Sequence, residues 1–163
     1  MPHLAPDFDA LVDARATSLM RLALLLTGNR ADAEDLLQTA LLRAYTQRAR
    51  VLAAGAPSAY LRRILVNEHL RAGARPRPIP VADVDPGVVD ARSPEERDAV
   101  WRLLATLPRQ QRAVLVLRYY EDLPDTEIGE VLGIRPGTVR STAHRGLIAL
   151  RTRLATTSEG AAP

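Results

Sequence analysis

The sequence predicts an all-α protein of two small helical domains, and three observations lead there. Apolar residues recur every three or four positions through both halves, while the apolar/polar alternation of a half-buried strand is absent. A proline-rich run, Arg75-Pro-Arg-Pro-Ile-Pro80, interrupts that periodicity in mid-chain, where alternating prolines block helix and favour extended backbone. Of the 163 residues 47% are hydrophobic and 25% charged, which gives each half apolar side chain enough for a core.

In the first half, a helix is expected from Asp7 to Thr27, with Leu11, Leu19, Leu22 and Leu26 near one face and Gly28 as the residue that ends it. A second helix starts near Asn29 to Asp32 and runs to Arg48, with Leu37, Leu41 and Ala44 at helical spacing. Arg50 to Pro57 reads as a loop, and a third helix follows from Ser58 to Ala72. These make an N-terminal domain at residues 7–75. Residues 76–92, with Pro86, Gly87 and several acids, read as a Pro-rich acidic linker.

The C-terminal domain, residues 93–154, opens on Ser93-Pro-Glu-Glu96, an N-cap serine, a proline at the first helical position and a glutamate that completes a capping box. Helices are expected at Pro94–Thr106, Pro108–Tyr119, Asp125–Leu132 and Pro136–Leu154, with Trp101 in the core. The last two are joined by Gly133-Ile-Arg-Pro136, short enough to force a sharp corner, which is helix-turn-helix geometry. Val139, Ala143, Leu147 and Leu150 supply its buried stripe. Residues 155–163 are small and polar and are expected to be a disordered tail. Each domain, at about 65 to 75 residues, can bury only roughly 60% of its unfolded surface, which favours docking on a larger partner.

Composition excludes several classes of function. There is no cysteine, so disulfide, thiolate and cysteine-ligated zinc chemistry are ruled out, and His3, His69 and His144 lie too far apart for a local ligand pair. No metal and no cofactor are expected. The longest apolar run, Leu22 to Leu26, falls far short of the roughly 20 residues of a membrane span, so the expectation is a cytoplasmic protein without membrane insertion. The acids Glu121, Asp122, Asp125, Glu127 and Glu130 flank a helix start, where negative charge is favourable, rather than forming a catalytic set. All 22 basic residues are arginine, which a biased genome also produces. Their placement is more informative than their number. Five arginines lie between Tyr60 and Arg77 and five between Arg135 and Arg153, with acidic stretches separating the two blocks. Segregated guanidinium groups suit a polyanion gripped at two places.

Four motifs carry a resemblance: Ala33-Glu-Asp-Leu-Leu-Gln38, Tyr60-Leu-Arg-Arg-Ile-Leu-Val-Asn67, Leu107-Pro-Arg-Gln-Gln-Arg112 and Glu127-Ile-Gly-Glu-Val-Leu-Gly-Ile-Arg-Pro-Gly-Thr-Val-Arg-Ser141. In this order, and across most of residues 8 to 154, they resemble bacterial RNA polymerase sigma factors of the extracytoplasmic-function class of the sigma-70 superfamily, of an actinobacterial sigma-E-like type. The resemblance implies a dissociable subunit that binds core RNA polymerase and promoter DNA, with a region 2 domain, a linker and a region 4 domain. An anti-sigma factor is a further partner it allows.

The residues can be read physically beside that implication. Asp35 and Gln38 share a helical face that Leu42 continues, a set suited to docking on an arginine-rich coiled coil; Asp35 and Glu34 also suit the helix dipole, and the two readings coexist. By resemblance, Asp35, Gln38 and Leu42 bind the polymerase's clamp helices. Tyr60, Arg62, Arg63, Asn67 and Arg71 lie within three turns of one helix, where arginines hold phosphates and an amide and an aromatic face engage an unstacked base. The resemblance assigns them, with the preceding loop, to the downstream promoter element as single strand; the competing reading is a solvated arginine face with Tyr60 in the core. The family's melting aromatics are sparse here, with only Tyr45 and Tyr60 near that helix. Gly137 and Thr138 open the last helix, where backbone amides can meet a phosphate. Arg140, Ser141, His144 and Arg145 then present groove-reading side chains to the upstream element, although an exposed, solvated histidine suffices for His144. Thr142 departs from the family, where arginine is common. The reading from another class is a self-sufficient helix-turn-helix repressor or activator.

Overall fold

The computed structural model describes residues 4–72 and 94–160, and these form eight helices and no strand. They are α1 Leu4–Thr27, α2 Arg30–Thr46, α3 Arg48–Ala53, α4 Pro57–Arg71, α5 Pro94–Ala105, α6 Arg109–Tyr119, α7 Asp125–Leu132 and α8 Pro136–Gly160. The chain divides into two compact units on either side of Val89–Asp90. The Ser93 cap and the proline-rich run lie outside the described residues.

In the first unit α1 packs against α2, α3 and α4. Leu22 to Leu26 are consequently buried without a break, since a helix wrapped by neighbours has no solvent side there. Gly28 ends α1 at φ 83°, the left-handed conformation that glycine tolerates best. Asn29 then caps α2: its Oδ1 accepts from the Asp32 amide at 2.9 Å and its Nδ2 donates to the Asp32 carboxylate at 2.8 Å. The buried stripe of α2 is Ala33, Leu36, Ala40 and Ala44, so the expected Leu37 and Leu41 prove to be half-buried flanks. Three alanines let the helices approach closely, which places the larger leucines beside the contact rather than in it.

The segment expected to be a loop from Arg50 to Pro57 is largely helical. Half of it, residues 50–53, belongs to α3, which a fully buried Val51 anchors against α1 and α4, and only residues 54–56 lie outside helices. Pro57 occupies the first position of α4, where its missing amide hydrogen loses no bond.

In the second unit Trp101, Leu104 and Leu107 are buried together with residues Ala113 to Leu117 of α6. Arg112 holds the end of α5: its Nη2 donates to the carbonyls of Ala105 at 3.1 Å and Leu107 at 3.0 Å. Burial, with Arg109 adding a smaller repulsion, pushes its pKa below the ordinary arginine value. Pro108 caps α6 instead of beginning it.

The corner between α7 and α8 is tightly specified. Gly133 sits at φ 69°, and the Ile134 amide donates to the Gly129 carbonyl at 3.0 Å. A Cβ at Gly129 would lie 2.6 Å from the Ile134 carbonyl oxygen, so no side chain fits without moving the turn. The buried residues of α8 are Val139, Thr142, Ala143 and Gly146, with Leu147 and Leu150 half-buried. The expected stripe is therefore shifted, because Gly146 lets Leu115 of α6 come within 3.0 Å of where its Cβ would be. The helix also continues past Leu154 to Gly160, although residues 151–160 are all exposed. There the hydroxyls of Thr152, Thr156, Thr157 and Ser158 each donate to the carbonyl four residues back, so the expected tail is helical over 155–160.

Candidate nucleic-acid interface

Three exposed surfaces emerge from this packing. On α2, the face opposite the buried alanine stripe presents Asp35 and Gln38, both exposed, and Leu42, 65% exposed. A leucine this exposed, on the side of α2 away from the buried stripe, has no role in the core of its own unit. Tyr45, three residues further on, continues this face at 45% exposure, and the Arg48 guanidinium stacks over its ring at 4.3 Å from the centroid. Phe8 of α1 meets the same ring edge-on, with centroids 5.8 Å apart. Tyr45 is legible in the sequence as the i+3 continuation from Leu42.

On α4 the five expected residues are not all brought together. Arg63, Asn67 and Arg71, at steps of four, make one ridge, with Arg63 and Arg71 exposed and Asn67 half-buried. Arg62 lies on another side of the helix and is half-buried. Tyr60 is half-buried at the start of the ridge, and its hydroxyl donates to Gln47 Oε1 at 3.2 Å, tying α4 to the α2–α3 junction. Its polar handle thus has an internal partner, while the ring keeps partial exposure.

On α8, Gly137, Thr138, Arg140, Ser141, His144 and Arg145 are all exposed, whereas the core stripe faces the other way. Gly137 and Thr138 lie in the first turn, where amides have no partner inside a helix. The Ser141 hydroxyl donates to the Thr138 carbonyl at 3.1 Å. Asp125, the first residue of α7, is 3.7 Å from both Arg118 and Arg140, so one carboxylate links α6, α7 and α8. Thr142 is buried at 3% and its Oγ1 accepts from Arg145 Nη2 at 3.3 Å. The family-departing threonine therefore sits beneath the surface and orients an arginine that is on it. Among the described residues no group of acids and histidines is placed to hold a metal ion.

The sequence matches Sigma-70 region 2 over residues 11–75 and Sigma-70, region 4 over residues 97–150. Together the matches span most of the chain, in the order that the motifs give. The chain belongs to the sigma-70 family. This sigma factor is 35% identical over 153 residues to the RNA polymerase sigma-E factor of Streptomyces coelicolor, covering 91% of this chain and 86% of that one. It is also 35% identical over 156 residues to the ECF RNA polymerase sigma factor SigL of Mycobacterium tuberculosis, covering 89% and 87%. It is thus an RNA polymerase sigma factor of the extracytoplasmic-function class. The fold is shared with the sigma factor RpoE of Bartonella quintana, solved with the anti-sigma factor NepR, at a TM-score of 0.70, 20% identity and coverage of 91% and 97%. It is similar as well to the extracytoplasmic function sigma factor SigJ of M. tuberculosis, at a TM-score of 0.64 and 29% identity, over 89% of this sigma factor and 52% of that chain. No helix among the described residues is long and apolar enough to cross a membrane.

Proposed function

We propose that this sigma factor docks on core RNA polymerase through Asp35, Gln38 and Leu42, holds the downstream promoter element as single strand along α4, and reads the upstream element with α8. Its contribution is binding and positioning, not bond-making, and it acts in the cytoplasm. The observation that carries the reading is the exposed face of α2, where a carboxylate, an amide and an uncovered leucine line up opposite the buried alanines. A partner with basic and apolar side chains on a coiled coil complements that set. On α4, Arg63, Asn67 and Arg71 offer two cations for phosphates around one amide for a base edge. On α8, Arg140 and Arg145 carry the charge and Ser141 and His144 the further polar contacts, with the amides of Gly137 and Thr138 against a phosphate.

An anti-sigma factor is a further partner in this reading. Two sigma factors of the same fold have been solved with one, RpoE with NepR and CnrH with the cytosolic domain of CnrY.

The test mixes purified protein with a labelled promoter duplex, with and without core polymerase. Specific binding that requires the polymerase is expected. Tight specific binding by a dimer alone, at physiological salt, would point instead to the self-sufficient regulator. Within the polymerase complex, Arg140→Ala plus Arg145→Ala is expected to weaken binding to the upstream element. The slope of log K against log salt is expected to fall by about 0.9 for each of the two arginines that also neutralises a phosphate, to a maximum of about 1.8. Anisotropy titrations at several salt concentrations check this, and an unchanged slope would take both arginines out of the interface.

A further inference from the structure

Glu68 of α4 is a buried carboxylate that its helix alone does not explain. Taking such a group out of water is costly unless cations accompany it. Its Oε1 lies 2.5 Å from Nε of Arg43, on α2, and accepts from Nη1 of Arg71, one turn along α4, at 3.2 Å. One guanidinium would neutralise it. Two leave a surplus positive charge, and the side chains are arranged to show it: Glu68 is 9% exposed, Arg43 43% and Arg71 60%. The anion is inside and the cations are outside. Each guanidinium carries five N–H donors, of which the carboxylate engages only part.

The position of this pair gives it a use. Arg71 ends the Arg63–Asn67–Arg71 ridge, and through Glu68 it draws Arg43 alongside from a different helix. Arg43 lies about a third of a turn away from the Asp35–Gln38–Leu42 face, so α2 serves two surfaces. Sequence reasoning grouped the arginines of α4 and had no reason to include Arg43, which lies 25 residues before Glu68 and meets it only through the packing of α2 on α4.

We propose that Arg43 and Arg71, gathered on buried Glu68, form a two-guanidinium clamp for a backbone phosphate of the unpaired promoter strand. The proposal rests on the reading of α4 as the strand-binding helix and adds a residue from α2 to it. Two cations held 2.5 and 3.2 Å from one shared anion are pre-ordered, so less side-chain entropy is lost when a phosphate arrives.

The experiment uses holoenzyme assembled with Arg43→Gln and titrates two DNA probes at several salt concentrations. One is a fork whose downstream element is unpaired; the other is a fully paired duplex carrying only the upstream element. Affinity for the fork is expected to fall about 3- to 10-fold, with the salt slope reduced by about 0.7, the value for one single-strand phosphate. Affinity for core polymerase and for the paired duplex stays at the wild-type level, and Arg43→Lys restores the slope. Glu68 keeps Arg71 as its partner in each variant, and Arg43→Met, which preserves the apolar stem, repeats the measurement if the glutamine variant melts early. An unchanged slope, an equal loss on the paired duplex, or unfolding of both neutral variants would overturn the clamp and leave the cluster as a structural bridge. Arg71→Ala separates the two levels of the argument. If it lowers the slope and Arg43→Gln does not, only the clamp fails; if neither does, the reading of α4 fails with it.

Discussion

Replacing Gly129 with alanine is expected to unfold the helix-turn-helix corner and abolish recognition of the upstream element. The added methyl would lie 2.6 Å from the Ile134 carbonyl oxygen, a backbone atom that cannot swing aside as a side-chain tip could. To admit it, α7 and α8 must separate, and that breaks the Ile134-to-Gly129 hydrogen bond that closes the turn. Overpacking of this kind costs about 1–3 kcal/mol. A domain of this size shifts its melting midpoint by about 4–8 °C per kcal/mol, so the second unit is expected to melt roughly 4–24 °C lower. Gly137→Ala is the companion measurement, since a Cβ there meets nothing within 4 Å. It removes a helix-weakening glycine and is expected to leave the midpoint unchanged or slightly raised. Thermal melts by circular dichroism check both, and anisotropy with an upstream duplex checks recognition. The Gly129 variant should still bind core polymerase through the first unit.

Asp35→Ala together with Gln38→Ala is expected to cut affinity for core polymerase by about 30- to 300-fold, which corresponds to about 2–3.4 kcal/mol shared between two contacts at the centre of an interface. Both side chains are exposed, and neither belongs to the buried stripe of Ala33, Leu36, Ala40 and Ala44. Their loss therefore leaves the first unit folded, and the helical circular dichroism of the variant should match that of the wild type. Removing one charge and one amide hydrogen-bonding group should act mainly on the lifetime of the complex. Surface plasmon resonance against immobilised core enzyme resolves this. Wild-type affinity would exclude this face of α2 from the contact and leave Asp35 as a solvated side chain in the second turn of the helix.

The parts of the fold that the sequence discloses are those encoded locally. Gly28 after α1, Asn29 before α2, Asp125 at the start of α7 and the Gly133–Pro136 corner all stand where their backbone chemistry places them. What escaped the sequence depends on contacts between distant segments. Helix α3 has six residues and one buried anchor, Val51, whose meaning comes from α1 and α4 packing on it. The stripe on α2 was displaced because alanine is ambiguous in sequence: it fills an exposed helix position as readily as it marks a close approach. The apolar pattern of α8 stops at Leu154, while threonine and serine hydroxyls bonding four residues back accompany the helix onward.

The same division holds for the candidate site. The α8 residues could be read from periodicity, because a helix packed on one side exposes the other. On α4, periodicity alone would have set Arg62 apart from Arg63, Asn67 and Arg71; grouping by residue type within one helix did not. Arg43, Glu68 and the burial of Thr142 beneath Arg145 could not be read at all, since each follows from how one helix lies against another.

Run-off transcription with core enzyme, this protein and a library of promoter templates tests the account most directly. Transcripts that start at defined positions on a sequence-related subset of templates, and that vanish when either component is left out, are the predicted result. Core enzyme that gains no initiation from the protein on any template, after the two have been shown to be folded and mixed in excess, would contradict it.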